Sequence, residues 1–198
     1  MRRTLVVMVK EPRPGRVKTR LARDIGHIEA AWWFRHQAQA LLRRLRDPRW
    51  RLVLAVSPDA EGLASRTWPA DLARWPQGRG DLGDRMARML RRARGGPACV
   101  VGADIPGLDR RAVARAFAAL GGHDAVFGPA LDGGFWLVGL RHGGALPAGL
   151  FHGVRWSGDH ALADSLATLA GRRVALAGTL ADVDCADDLA GATGRFSS

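Results

Sequence analysis

Short continuous apolar runs alternate along the chain with stretches in which apolar residues recur at helical spacing. Thr4-Leu5-Val6-Val7-Met8-Val9 is short, β-branched and stopped by Pro12 and Pro14, which predicts a buried strand where a buried helix would need ten or more residues. From Ile28 to Arg46, Phe34, Ala38, Leu41, Leu42 and Leu45 share one helical face, and Asp47-Pro48 ends the pattern. Leu52 to Val56 reads as a second buried strand, closed by Ser57-Pro58-Asp59, so that strand, helix and strand make a parallel unit. Ala60 to Trp75 reads as irregular, with Trp68-Pro69 breaking any helix and a short strand near Ala73-Arg74-Trp75. A glycine-rich loop at Gln77 to Asp81 then leads into a helix striped by Leu82, Met86, Met89, Leu90 and Ala93. Further strands are expected at Cys99 to Val101, Asp124 to Gly128, Phe135 to Leu140 and Val174 to Leu176. Between them, helices are expected with Val113, Ala116, Phe117 and Leu120 on one face, and from about His160 to Ala170. The alternation is that of an α/β fold, and 198 residues suit one domain over 1–198 with a sizeable core.

The formal charge of +11 favours anionic partners. The arginines are dispersed among helices, with no RNP aromatic strand and no zinc finger, so no dedicated nucleic-acid motif is present and charge alone licenses only non-specific binding. Pairs such as Arg43-Arg44, Arg91-Arg92, Arg110-Arg111 and Arg172-Arg173 lie near expected helix ends or loops, where helix C-termini account for some of them. No apolar run approaches membrane-spanning length and the first strand is too short for a signal peptide, so a cytoplasmic protein is expected. Cys99 and Cys185 stand far apart without metal-ligand spacing, which favours reduced thiols over zinc.

An α/β sheet places its ligands at the carboxyl ends of the strands, so the stretch after the first strand is the first candidate site. The two lysines of the chain, Lys10 and Lys18, both fall there, with Arg13, Arg16 and Arg20 around Gly15. A glycine for close backbone approach, several cations and a helix beginning near Thr19 fit a phosphate cradle, and they also fit a solvated basic turn. Asp104 directly follows a central strand, where a carboxylate can hold Mg²⁺ or Mn²⁺ against phosphate oxygens or cap the turn before the next helix. Asp132-Gly133-Gly134 allows a ligand to approach closely or makes an ordinary tight turn, and Trp136 is a pocket wall or a core ring. Asp81 suits a helix N-cap. The six histidines show no paired spacing and no Ser/His/Asp arrangement.

Four stretches in chain order resemble one family. They are Lys10-x-Pro12-x-Pro14-Gly15-x-Val17-Lys18-Thr19-Arg20-Leu21, Gly102-Ala103-Asp104-Ile105-Pro106-Gly107-Leu108, Gly128 to Leu140, and Asp182-Val183-Asp184-Cys185-Ala186-Asp187-Asp188-Leu189. They are similar to small bacterial proteins of the GT-A, nucleotide-diphospho-sugar transferase superfamily, labelled glycosyltransferases of uncharacterised substrate. The loop is also similar to the Lys-Ser-Arg-Leu loop of phospholactate guanylyltransferases. The resemblance implies a three-layer α/β/α domain with a mostly parallel sheet and a late antiparallel strand. It implies a nucleotide partner, an NTP or a nucleotide sugar, bound by Lys10, Pro14, Gly15, Arg16, Lys18, Arg20, Gln77 and Gly78, and a small-molecule acceptor faced by Asp132, Gly133, Gly134 and Trp136. Lys18 and Asp104 would act in catalysis, and Asp104 and Asp184 would converge on one Mg²⁺ or Mn²⁺, with Asp182 pointing away or capping a turn. Gly102 stands where sugar-nucleotide-dependent members typically carry another Asp, a pattern closer to the nucleotidyltransferase branch. The implied activity is metal-dependent transfer from a nucleotide donor, with glycosyl transfer as the family label and nucleotidyl transfer as the alternative. A basic domain that binds nucleotide or nucleic acid without turnover is the competing class.

Overall fold

A computed structural model describes residues 2–180, so Asp182, Asp184 and the acids that follow lie outside the described residues. Its strands are β1 (Arg3–Lys10), β2 (Trp50–Ser57), β3 (Ala73–Pro76), β4 (Ala98–Gly102), β5 (Ala125–Pro129), β6 (Phe135–Leu140) and β7 (Val174–Leu176). They form one sheet in the order β3-β2-β1-β4-β6-β5-β7. Every neighbouring pair is parallel except the two that involve β6, so the sheet is mostly parallel with one antiparallel strand late in the chain. β1 lies at the centre of the parallel part, which is why its run is apolar on both faces: Leu5, Val6, Val7 and Val9 are all buried.

The helices are α1 (Leu21–Ile25), α2 (His27–Arg44), α3 (Asp59–Ala64), α4 (Leu82–Arg92), α5 (Arg110–Ala119) and α6 (Ala161–Ala167). Alternate residues of the strands separate two cores. Leu5, Val7 and Val9 pack with Phe34, Leu41 and Leu42 of α2 and Val113 and Phe117 of α5. Val6, Val53 and Val100 pack with Met86, Met89 and Leu90 of α4 and Ala161 of α6. This makes three layers, helices on each face of the sheet.

Local chemistry explains where the elements depart from the sequence pattern. The helix expected near Thr19 begins at Leu21 and lasts little more than a turn, because Gly26 at φ 94° separates it from α2. The stretch read as irregular contains α3, whose first turn carries Asp59 and Glu61, a placement that the positive helix N-terminus favours. Arg43-Arg44 and Arg91-Arg92 do occupy the last turns of α2 and α4. Arg110 and Arg111 instead open α5, so no dipole argument accounts for them.

Candidate active site

The strand order turns back at β1. β2 and β3 lie on one side of it and β4 on the other, so the loops that leave β1 and β4 diverge and open a crevice between them. Register places both exits level, with Met8 paired to Gly102. From the β1 side, Val17 and Leu21 are buried and anchor the loop, and between them Lys18 takes φ 46°. A left-handed backbone at a residue other than glycine is sparsely populated and is held there by the surroundings. From the β4 side, Ile105 and Leu108 are buried, and Arg44 of α2 donates through Nη2 to the Pro106 carbonyl at 2.9 Å, fixing the segment that carries Asp104. Burial pushes the Arg44 guanidinium below its ordinary pKa, and the Asp109 carboxylate opposes that shift. Asp109, not Asp104, caps α5 by accepting from the Ala112 N–H at 2.8 Å. Lys18 Nζ then donates to Asp104 Oδ2 at 2.7 Å across the crevice, with the lysine side chain 7% and the aspartate 35% exposed.

A cleft of about 630 Å³ surrounds this pair. Of the residues singled out in the sequence, Lys10, Arg16, Lys18, Arg20, Gln77, Asp104, Asp132, Gly134 and Trp136 line it. Pro14, Gly15, Gly78 and Gly133 do not line it. Gly15, at φ 75° with open space where a Cβ would stand, serves the turn, whereas a Cβ at Gly133 would meet the Asp159 backbone at 2.3 Å. Gln77 is buried, and its Nε2 donates to the carbonyls of Val9 (3.1 Å) and Ala55 (2.8 Å), tying the ends of β1 and β2 together and leaving Oε1 for a ligand. Trp136 is 4% exposed, packs in the core over Gly128 and donates from Nε1 to the Gly178 carbonyl at 3.0 Å, so it borders the cleft as a core ring. Asp81 is the N-cap of α4, in a capping box with Asp84.

Several lining residues escaped the sequence pattern: Arg85, Phe135, Trp156, Ser157 and Gly158, together with Leu82, which belongs to the apolar stripe of its helix and is 46% exposed. The Ser157-Gly158 pair ahead of α6 was the local signal for a turn. Asp184, expected beside Asp104, falls outside the described residues, and among those residues no group of three or more acidic, His or Cys side chains forms a metal cluster. No helix of the described residues is long and apolar enough to cross a membrane.

The architecture has counterparts among solved structures. A crystal structure from Desulfovibrio desulfuricans G20, described as a candidate nucleotide-diphospho-sugar transferase, superposes with a TM-score of 0.87 at 28% identity, over 100% of this chain and 90% of that one. CMP:2-keto-3-deoxy-manno-octonic acid synthetase in complex with CTP matches in fold, with a TM-score of 0.59 at 11% identity over 100% and 99% of the two chains. Rv0371c of Mycobacterium tuberculosis H37Rv, in complex with manganese, does so with a TM-score of 0.53 at 14% identity over 97% and 98%. No curated protein sequence matches the chain. The fold is thus that of the nucleotide-diphospho-sugar transferases. Through residues 40–158, which run from within α2 past the crevice to the Trp156 loop, the chain belongs to a family of uncharacterized proteins conserved in bacteria (DUF2064).

Proposed function

We propose that the protein is a transferase that takes its group from a nucleotide held in the crevice between β1 and β4, and that the donor is a nucleoside triphosphate. The observation that carries this reading is the Lys18–Asp104 contact of 2.7 Å at the crevice, ringed by Lys10, Arg16 and Arg20. Four cations from the end of β1 and the loop after it can neutralise a polyphosphate, and the Lys18 ammonium, with three donors, can hold a phosphate oxygen as well as Asp104. Charge that develops on the departing pyrophosphate would then meet groups already in place, which is how fixed donors lower a barrier without reorganisation.

The donor set fits a divalent ion. Asp104 Oδ2 meets Lys18, which leaves Oδ1 for a hard cation, and Mg²⁺ is commonly held by one or two carboxylates with substrate phosphates completing its shell. Such an ion would supply further charge neutralisation at the phosphates. Asp184 remains proposed as a second ligand. Gly102 favours the triphosphate: a Cβ there would already lie 3.0 Å from Asp104 Oδ1, so the carboxylate folds over space that a second acid's stem would occupy. Transfer of a glycosyl group from a nucleotide sugar is the second reading, favoured by the similarity to the candidate nucleotide-diphospho-sugar transferase.

Product analysis separates the two. Incubation with each NTP, Mg²⁺ or Mn²⁺ and a panel of phosphorylated or carboxylated acceptors should release pyrophosphate. Release of a nucleoside diphosphate from a nucleotide sugar, with the sugar moved to an acceptor, would overturn nucleotidyl transfer in favour of the second reading. Steeply salt-dependent polynucleotide binding, with no saturable nucleotide binding, would overturn both and leave a basic binding domain.

A further inference from the structure

Across the cleft from the basic loop the lining changes character. The first turn of α4 contributes Leu82, Arg85 and Met86, whose spacing places them on one helix face. Phe135 at the start of β6 and Trp156 in the loop before α6 complete an apolar wall. The wall is built to stay in place. Phe135 and Trp156 have centroids 6.3 Å apart, and Phe151 lies behind both, 6.4 Å from Phe135 and 5.8 Å from Trp156. Trp156 Nε1 donates to Asp81 Oδ2 at 3.3 Å, so the residue that caps α4 also orients the indole. Gly83 allows this packing, because a Cβ there would stand 2.7 Å from the indole and 2.8 Å from Phe151 Cβ. Rings locked by neighbours lose little freedom when a ligand covers them.

From this wall we infer an acceptor subsite for an amphipathic anion, a small molecule that joins an apolar or ring-shaped body to one phosphate or carboxylate. Leu82 leaves an apolar side chain 46% exposed at the cleft, and it gains from being covered. Among the described residues, Arg85 is the one Lys or Arg that lines the cleft from outside the end of β1 and the loop after it. Its Nε donates to the Gly80 carbonyl at 3.0 Å, which holds the stem and leaves the Nη groups for an anion. Among the described residues, Asp132 is the carboxylate that lines the cleft here, and its Oδ1 accepts from the Gly134 N–H at 2.9 Å, while the Asp81 carboxylate behind the wall is engaged by the Asp84 N–H and the Trp156 indole. The inference rests on the donor assignment to the basic half, since the transferred group must pass from one half to the other.

Phenyl phosphate is the probe, with phenol and inorganic phosphate as its two halves, titrated calorimetrically against the full-length protein. Phenyl phosphate should bind about tenfold or more tightly than either half, and Arg85→Gln and Trp156→Ala should each weaken it by about tenfold, a difference of ~1.4 kcal/mol. Arg85→Glu, a surface change that spares the ring packing, should abolish it and so covers the case in which Trp156→Ala fails to fold. Nucleotide binding, measured in parallel, should stay within about twofold in the Arg85 variants and fall in Lys18→Ala. Phenyl phosphate that does not bind the wild type, or that responds to Lys18→Ala and not to the Arg85 and Trp156 changes, overturns the subsite. Phenyl phosphate that behaves as expected on a protein that binds no nucleotide overturns the donor reading and leaves the amphipathic-anion site standing.

Discussion

An ammonium that is 7% exposed and 2.7 Å from a carboxylate is defined by its neighbours, and Lys18 is further fixed by its left-handed backbone between two buried anchors. Removing the side chain by Lys18→Ala keeps those anchors, so the expected loss falls on the ligand. Nucleotide affinity should drop by about 1–3 kcal/mol, the range for a charge-assisted hydrogen bond, while the urea midpoint moves little. Titration of the variant with the preferred NTP checks this, and unchanged affinity would defeat the phosphate cradle. Gln77 behaves differently. Its Nε2 joins two strands, so Gln77→Ala mixes a structural loss with any loss of base contact and cannot report on the base alone. The cations of the loop were legible because only that stretch keeps lysine in an arginine-rich chain. The bonds of Gln77 were not, because its partners Val9 and Ala55 lie 68 and 22 residues away.

Among the elements, the strands were the most legible, since continuous β-branched runs bounded by Pro, Gly and Asp leave little choice. Helix boundaries were less so. One glycine in the left-handed region divides α1 from α2, and α3 forms in a segment with no apolar stripe. α4 shows how a local signal carries a second duty. Asp81 accepts from the Asp84 N–H at 2.8 Å, as a cap should, and its other oxygen accepts from Trp156, 75 residues on. Asp81→Ala should therefore cost about 0.5–2 kcal/mol in chemical denaturation, the range for a lost N-cap, and should also loosen the aromatic wall. Asp81→Asn keeps an acceptor and should recover most of that stability. Equal losses in both variants would mean that charge, not the cap hydrogen bond, holds the helix start.

For the whole molecule, the placement of the site followed from topology: strands that alternate with helices put ligands at their carboxyl ends, and the turn-back at β1 selects one crevice. The aromatic wall of the cleft was hidden because it joins α4, β6 and the loop before α6, segments whose proximity only the folded sheet decides. That loop is tied down by ions. Arg155 donates to Asp164 through Nε and Nη2, each at 2.9 Å, and through its backbone N–H at 3.0 Å, directly beside Trp156. These bonds, the guanidinium's foremost, hold the Asp164 carboxyl below the usual carboxylate range. Asp47 is likewise held at about 2, mainly by the Arg49 side chain, and Asp71 is lowered mainly by that of Arg46. A carboxyl whose folded pKa is depressed adds stability at pH values above its unfolded pKa of about 3.9, and that stability is lost as pH falls through the folded value. The urea midpoint should accordingly be nearly flat from about pH 7 to about pH 5 and fall below about pH 4, modestly, because these pairs are exposed and screened by salt. Asp164→Asn should lower the midpoint at about pH 6 and show a shallower acid decline, the gap to the wild type narrowing as pH falls below the unfolded carboxylate value towards the depressed folded one. Because Arg155 adjoins the aromatic wall and the pair stays charged in the folded protein to well below the usual carboxylate range, phenyl phosphate binding at about pH 6 should be weaker in Asp164→Asn than in the wild type. Denaturation curves that differ by a constant offset at every pH would show that Asp164 acts through packing, and that no ion pair steadies the wall.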